Sequence, residues 1–157
     1  MKEGILIMYY YIKVNKSDPH WNKFLRKCEE PILNLDLEIS DVVEEHILIF
    51  EGNLIIGAIR LTKIDNHNNN LVFWSNALRN EEASKYIKEV LKEFVGDFKI
   101  KTSIHFLNVQ THYMDFFYNM NFKTEAVLRE QIKINNRYYN VIVMSNCMES
   151  EGEDCSV

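Results

Sequence analysis

The sequence has few of the residues on which several classes of protein depend. Its 157 residues include only three cysteines, two prolines and five glycines. The cysteines, Cys28, Cys147 and Cys155, are odd in number and form no CxxC pair, which argues against both a disulfide framework and a zinc site. The histidines show no HxH or HxxxH spacing, so we expect no metal. This cysteine usage is typical of a reducing compartment, and we expect a cytoplasmic protein.

Long hydrophobic runs and a basic stripe are also missing. The N-terminal apolar run Gly4–Ile12 is shorter than the roughly 20 residues that span a bilayer, and it predicts a buried strand. Outside the acidic tail from Glu149 to Val157, basic and acidic side chains nearly balance, whereas nucleic-acid-binding domains concentrate positive charge. We therefore expect neither a membrane nor a nucleic acid as partner. The length fits a single domain, residues 1–148, followed by a disordered tail, residues 149–157.

The periodicity of apolar residues predicts an α/β (α+β) fold with a mixed, mostly antiparallel sheet. A helix between the fourth and fifth strands acts as a crossover, so these two strands must be parallel. Asn68–Asn70 reads as a loop, and Asn135-Asn136 as a hairpin turn. The predicted strands are Gly4–Val14, His46–Phe50, Leu54–Ile64, Leu71–Asn76, Lys99–Leu107, Lys123–Ile134 and Arg137–Met144. The first predicted helix starts at Asp18-Pro19, with Asp18 as the N-cap and Pro19 as the first helical residue. The second lies around Ile32–Leu37 and the third spans Ala83–Phe94. The fourth carries on its apolar stripe Tyr113, Phe116, Phe117 and Met120.

The turn Arg79–Ser84 joins the fourth strand to the crossover helix, a position suited to binding a phosphate. The first backbone N–H groups of a helix lack partners, and the helix dipole favours an anion there. Yet the turn has no glycine and carries two carboxylates, Glu81 and Glu82. The alternative is that Asn80 simply caps the helix. No P-loop, GxSxG or GxGxxG signature is present elsewhere.

Three stretches resemble the GNAT acyltransferase superfamily. They are the turn and strand Glu51–Ile59, the strand and helix Ile104–Phe122, and the terminal hairpin around Asn136–Tyr139. The resemblance implies a GNAT-like sheet of about seven strands with a parallel pair at strands four and five, and about four flanking helices. It also implies transfer of an acetyl group from acetyl-CoA, or another acyl-CoA, to a primary amine of a small molecule or peptide. A homodimer is left open.

The resemblance assigns the acyl-CoA to the turn and the two parallel strands. Backbone groups of Phe73–Ser75, with Trp74 between them, would pair with the pantetheine amide, and Arg79, Asn80 and Ser84 would contact the pyrophosphate. Glu82 stands where the family has a glycine, and its charge would repel a phosphate by at least about 1 kcal/mol. The residues expected to help hold the cofactor further along the chain are Asn108 and Gln110.

Proton transfer needs a base for the amine and an acid for the leaving thiolate. The fourth strand offers no carboxylate, so His105 on the fifth strand is the candidate base, because histidine titrates near pH 7. Phe117 takes the position of the family's acidic tyrosine, which leaves Tyr113 or Tyr118 as candidate acid. Each also has a simple packing or surface interpretation. With Glu82 and Phe117 in these positions, the alternative function is a catalytically inactive GNAT-fold binding or regulatory module.

Overall fold

A computed structural model describes residues 8–28, 43–65, 67–95 and 100–146. Seven strands and three helices lie within these ranges. The strands are β1 (Tyr9–Val14), β2 (Val43–Glu51), β3 (Leu54–Lys63), β4 (Asn68–Ser75), β5 (Lys101–Leu107), β6 (Phe122–Ile134) and β7 (Arg137–Asn146). The helices are α1 (Pro19–Lys27), α2 (Glu81–Val95) and α3 (Thr111–Tyr118).

All seven strands form one sheet in the order β1-β2-β3-β4-β5-β7-β6. The β4–β5 pair is parallel and every other pair in the described sheet is antiparallel. The predicted mixed fold with a parallel pair at strands four and five is therefore confirmed. The α2 crossover makes this pairing possible, because parallel neighbours need a long connection between them.

Capping and turn residues mark the beginnings and ends of several elements where the sequence predicts them. The Asp18 side chain caps α1 by accepting a hydrogen bond from the His20 backbone N–H at 2.8 Å, with proline in the first turn. Asn135 and Asn136 have φ of 51° and 64° in the β6–β7 turn, and Asn121 has φ of 66° after α3. Asparagine adopts this left-handed conformation more readily than most residues.

The sheet is covered on both faces, and its two faces build separate cores. One core joins α2 and α3 to alternate residues of the central strands, among them Leu71, Phe73, Ile104 and Phe106. The other packs α1 on β2, β3 and Trp74. No helix in the described residues is long and apolar enough to cross a membrane.

The prediction of a loop at Asn68–Asn70 is wrong. These residues form the first half of β4 and pair with β5, from Asn68↔Lys101 onward. The turn lies further upstream, where the Asp65 side chain accepts hydrogen bonds from the backbone N–H groups of His67 and Asn68 at 2.7 and 2.8 Å. Ladder hydrogen bonds to β5 outweigh the weak strand propensity of asparagine.

Some predictions fall on residues that the structure does not describe. These are the short helix around Ile32–Leu37, the start of the first predicted strand and the acidic tail, residues 149–157. The described residues contain three helices where about four were expected from the resemblance. The fourth predicted helix is the one around Ile32–Leu37.

Candidate functional site

The two parallel strands separate part-way along their length. Their paired residues run from Asn68↔Lys101 to Leu71↔Ile104, while β4 continues to Ser75 and β5 continues to Leu107. Beyond this point β4 stays paired with β3, and β5 stays paired with β7. The C-terminal ends of β4 and β5 therefore leave an opening in the middle of the sheet, which we call the β4–β5 opening.

Tyr113 of α3 reaches into the β4–β5 opening. Its ring lies edge-on to Phe73 and Phe106, with centroids 5.5 and 6.1 Å away. Its hydroxyl accepts a hydrogen bond from the Ser75 backbone N–H at 3.2 Å and lies 3.4 Å from the Ser75 carbonyl oxygen. The candidate acid thus contacts the same backbone that the resemblance assigns to the pantetheine amide.

The Ser75 side chain fixes the end of β4. Its hydroxyl donates to the Ile56 carbonyl at 2.6 Å and accepts from the Ala77 backbone N–H at 3.1 Å. Ser75 is fully buried, so its hydroxyl has a structural role in these two hydrogen bonds. Backbone groups two residues apart in a strand point to the same side, so those of Phe73 also face the β4–β5 opening.

A pocket of about 260 Å³ lies beside α2 and α3, on the face of the sheet that these helices cover. We call it the α2–α3 pocket. Arg79, Ser84 and Lys88 line it from the α2 side, and His112 and Asp115 line it from α3. Arg79 and Ser84 were expected to contact a phosphate, whereas sequence reasoning missed Lys88. Its spacing of four residues from Ser84, which puts both on one helix face, was the available signal.

Glu82 does not line the α2–α3 pocket. Its side chain is exposed, and at 3.6 residues per turn it lies about 200° around the helix axis from Ser84. Its charge acts instead on Tyr9. The pKa of the Tyr9 phenol is raised mainly by burial and further by the negative charges of Glu51 and Glu82. The side-chain obstruction expected from Glu82 is therefore directed away from the pocket.

Asn80 caps α2. Its Oδ1 accepts a hydrogen bond from the Ala83 backbone N–H at 3.0 Å, and its own N–H donates to the Ala77 carbonyl at 3.0 Å. The capping interpretation of Asn80 is confirmed. Because its carbonyl oxygen is used in the cap, Asn80 supports the helix end beside the pocket, which Arg79 and Ser84 line.

Asn108 and Gln110 stabilise the turn between β5 and α3. Gln110 is buried, and its Oε1 accepts from the Leu107 N–H at 2.9 Å. The Oδ1 of Asn108 accepts from the Asn140 N–H at 3.2 Å, and the Asn108 N–H donates to the Asn140 carbonyl at 3.0 Å. Both side chains hold backbone at this turn, which also leads into Tyr113.

His105 is the first β5 residue beyond the last pair with β4. It lies on the sheet face opposite Ile104 and Phe106, which is the α1 face. Its Nδ1 is buried and has no hydrogen-bond partner among the described residues. Burial lowers the pKa of the imidazole, opposed by the negative charge of Glu125. A neutral imidazole of this kind can accept a proton near pH 7.

The carboxylate of Glu125, in β6, accepts hydrogen bonds from two neighbouring side chains. The Lys101 ammonium and the Ser145 hydroxyl each donate a short hydrogen bond to its carboxylate. These two hydrogen bonds lower the pKa of Glu125, so the carboxylate stays ionised beside His105.

The remaining candidates lie apart. Tyr118 ends α3 and is 67% exposed, so the structure does not bring it to the β4–β5 opening. Phe117 is fully buried against Phe73. Trp74 faces the other side of the sheet, where its ring packs on Phe24 with centroids 5.0 Å apart.

Comparisons with known proteins identify the fold. No family model and no curated protein sequence matches this chain. Among solved structures, it is similar to a chimera of the Vibrio cholerae spermidine N-acetyltransferase SpeG and hSSAT, with 17% identity over 88% of this chain and 94% of that chain and a TM-score of 0.65. The Escherichia coli ribosomal-protein-S18-alanine N-acetyltransferase gives 7% identity over 94% and 99%, also with a TM-score of 0.65.

A third similar structure is a putative phosphinothricin N-acetyltransferase, with 8% identity over 68% of this chain and 73% of that chain and a TM-score of 0.56. Identities this low show a common fold and carry no substrate or residue role with them. The chain therefore has the GNAT fold, as its sequence resemblance implied.

Proposed function

We propose that this protein is an acyl-CoA-dependent N-acetyltransferase that acts on a primary amine of a small molecule or peptide. The observation that carries the proposal is the β4–β5 opening together with the cation-lined α2–α3 pocket. The residues that line this pocket follow the C-terminal ends of β4 and β5 in the chain. A GNAT fold gives such an opening a ready use, since solved structures with this fold are N-acetyltransferases.

The residues at the site fit the chemistry of an acyl-CoA. Arg79 and Lys88 supply positive charge for a pyrophosphate, and the Ser84 hydroxyl beside them can donate a hydrogen bond to it. The backbone groups of Phe73 face the β4–β5 opening and suit the amides of the pantetheine arm. Asp115 is the only carboxylate among the described residues that line the α2–α3 pocket, so cations outnumber it.

An acyl-CoA supplies a thioester, whose carbonyl carbon gains a C–N bond to the neutral amine as the C–S bond breaks and the sulfur departs with the electron pair. His105 would take the proton that the ammonium form of the amine must lose first, because its lowered pKa keeps it neutral. Tyr113 would give a proton to the departing sulfur, since its hydroxyl lies at the end of β4. The nitrogen loses its second proton as the amide forms, and that proton would restore the Tyr113 hydroxyl. Proton transfer by a positioned group is worth roughly 10²–10⁴-fold in rate.

One observation favours the alternative of an inactive binding module. The Tyr113 hydroxyl already holds the Ser75 N–H, and the position next to it on the same helix face is the non-acidic Phe117. In an enzyme, the tyrosine must release this backbone or the pantetheine must use Phe73 alone. A module that binds acyl-CoA without turnover needs neither a base nor an acid.

Calorimetric titration with acetyl-CoA tests the proposal. We expect a Kd near 1 μM, about −8 kcal/mol. Lys88→Gln should weaken binding roughly fivefold, because one phosphate-facing charge is lost. Lys85→Gln, on the exposed face of the same helix, is the matched control and should bind as the wild type does.

No heat at millimolar acetyl-CoA would refute both the enzyme and the acyl-CoA-binding module. Binding without release of free thiol in the presence of an amine panel would leave only the module. Thiol release that requires an amine would establish the transferase.

A further inference from the structure

A second pocket lies on the opposite face of the sheet, between α1 and the strands β2, β3 and β4. We call it the α1 pocket. Its volume is about 310 Å³, at the lower end of the roughly 300–1,000 Å³ typical of small-molecule sites. Its lining includes His20, Lys23, Phe24, Lys27, Phe50 and Trp74.

Aromatic rings form much of the wall of the α1 pocket. Phe24 and Trp74 pack at a centroid distance of 5.0 Å. Phe50 stacks on Tyr10, also at 5.0 Å, with the two ring planes nearly parallel. Packed rings of this kind form a rigid apolar surface, which suits an apolar or aromatic body of about one side chain in size.

The charged residues that line the α1 pocket are cationic. His20, Lys23 and Lys27 follow each other at three- and four-residue spacing, which places them on one face of α1. Asp18 lies 3.1 Å from the His20 ring. Within the described part of the chain no carboxylate lines the pocket, and neither lysine takes part in an ion pair.

Trp74 connects the α1 pocket to the proposed site of transfer. It lies in β4 between Phe73 and Ser75, whose backbone groups border the β4–β5 opening. Its side chain projects to the α1 face, as does that of His105. A molecule held against Trp74 thus approaches β4 from the face opposite the α2–α3 pocket, with the candidate base on its own side.

We infer that the α1 pocket takes an acceptor amine that has an apolar body and a carboxylate, as an aromatic amino acid does. The inference rests on the proposed function. Lys23 and Lys27 attract a carboxylate and repel a second or third ammonium group, so the pocket selects against polyamines. This differs from the spermidine that names one of the similar structures.

The test compares three ligands on the full-length protein by calorimetry, without acetyl-CoA. L-phenylalanine carries an amine, a ring and a carboxylate, phenethylamine lacks the carboxylate, and spermidine is a polycation. We expect phenylalanine to bind roughly fivefold or more tightly than either. The double variant Lys23→Gln/Lys27→Gln should remove that preference. Arg26→Gln, on the same helix but outside the pocket lining, should keep it.

Two results would overturn the inference. One is binding of spermidine as tight as that of phenylalanine, and the other is a preference for phenylalanine that survives in the double variant. Absence of phenylalanine binding up to about 10 mM (about −2.7 kcal/mol) would do the same. Acetyl-CoA titrated separately decides the proposed function, so the failure of one proposal is distinguishable from the failure of the other.

Discussion

The Ser75 backbone N–H donates a hydrogen bond to the Tyr113 hydroxyl at 3.2 Å, across the place where β4 and β5 part. A strand that loses its neighbour leaves backbone groups without ladder partners, and buried ones are costly when unpaired. Tyr113 satisfies one of them and fills the space with its ring, against Phe73 and Phe106. The same contact holds the strand end in shape and places an acidic proton beside the proposed thioester position.

We expect Tyr113→Phe to lower the free energy of unfolding by about 1 kcal/mol or somewhat more. The variant keeps the ring but leaves the buried Ser75 N–H without its partner. Urea denaturation monitored by circular dichroism measures the change. Tyr118→Phe, at an exposed hydroxyl, should leave the unfolding midpoint where it is. Equal midpoints for all three proteins would show that the Tyr113 hydrogen bond contributes nothing to stability.

The same pair of variants separates the two candidate acids. If the protein is a transferase, Tyr113→Phe should lower kcat by roughly 10²-fold while acetyl-CoA binds at least as tightly. The binding is retained because the Ser75 N–H becomes available to the pantetheine arm. Steady-state thiol release and calorimetry give the two numbers. Loss of kcat in Tyr118→Phe instead would reassign the acid to the end of α3.

Stability should rise with pH between about pH 5 and pH 7.5, because burial lowers the pKa values of two histidines. His105 is opposed by Glu125, and His46 by Glu44, while Arg60 and Lys16 lower the pKa of His46 further. In this window the unfolded chain, with histidine pKa near 6.5, binds more protons than the folded one, so acid favours unfolding. The stabilisation is complete about one unit above pH 6.5 and is lost as the pH falls through 6.5 toward the lowered pKa values of the folded protein.

Urea midpoints at the two pH values test this dependence. His105→Asn should reduce the difference between them, and His67→Asn, at an exposed position, should preserve it. Midpoints that do not change with pH, or that rise toward acid, would contradict the buried-histidine account.

Glu125 should set the titration of His105. Its carboxylate raises the imidazole pKa against the larger effect of burial. Glu125→Gln removes that charge, so we expect the His105 pKa to fall further. Proton NMR of the ring resonances follows the titration directly. Glu93→Gln, which alters the carboxylate that accepts from the Tyr11 hydroxyl, is the control. An unchanged or raised His105 pKa in Glu125→Gln would contradict this effect of the Glu125 charge.

Periodicity and turn chemistry predicted the mixed α/β class with its parallel pair, and the family resemblance predicted the GNAT-like sheet. The α2 crossover dictates a parallel pair, and Asn121, Asn135 and Asn136 adopt the left-handed conformations expected of them. The loop predicted at Asn68–Asn70 was wrong because a ladder to β5, distant in sequence, decides the conformation of those asparagines. Local propensity carries no information on such a partner.

The candidate site was harder to predict, because side-chain direction decides it. Glu82 and Ser84 are two residues apart, yet helix geometry turns one toward Tyr9 and the other toward the α2–α3 pocket. The consecutive residues Phe73 and Trp74 likewise face different cores, because side chains alternate along a strand. Lys23 and Lys27 were missed because the pocket that they line forms only when α1 packs on the sheet, and the sequence of α1 alone does not show this.

Substitutions of Asn80, at the N-terminus of α2, distinguish its role as a helix cap from a role as a cofactor ligand. Asn80→Ala should cost about 1 kcal/mol of stability, because the Ala83 N–H loses its partner. Asn80→Asp keeps an oxygen in the same place and a charge favourable to the helix dipole, so it should be nearly as stable as the wild type. Acetyl-CoA affinity should be unchanged in Asn80→Ala, since the pocket is lined by Arg79 and Ser84. A variant that is fully stable but binds acetyl-CoA tenfold more weakly would instead make Asn80 a ligand of the cofactor.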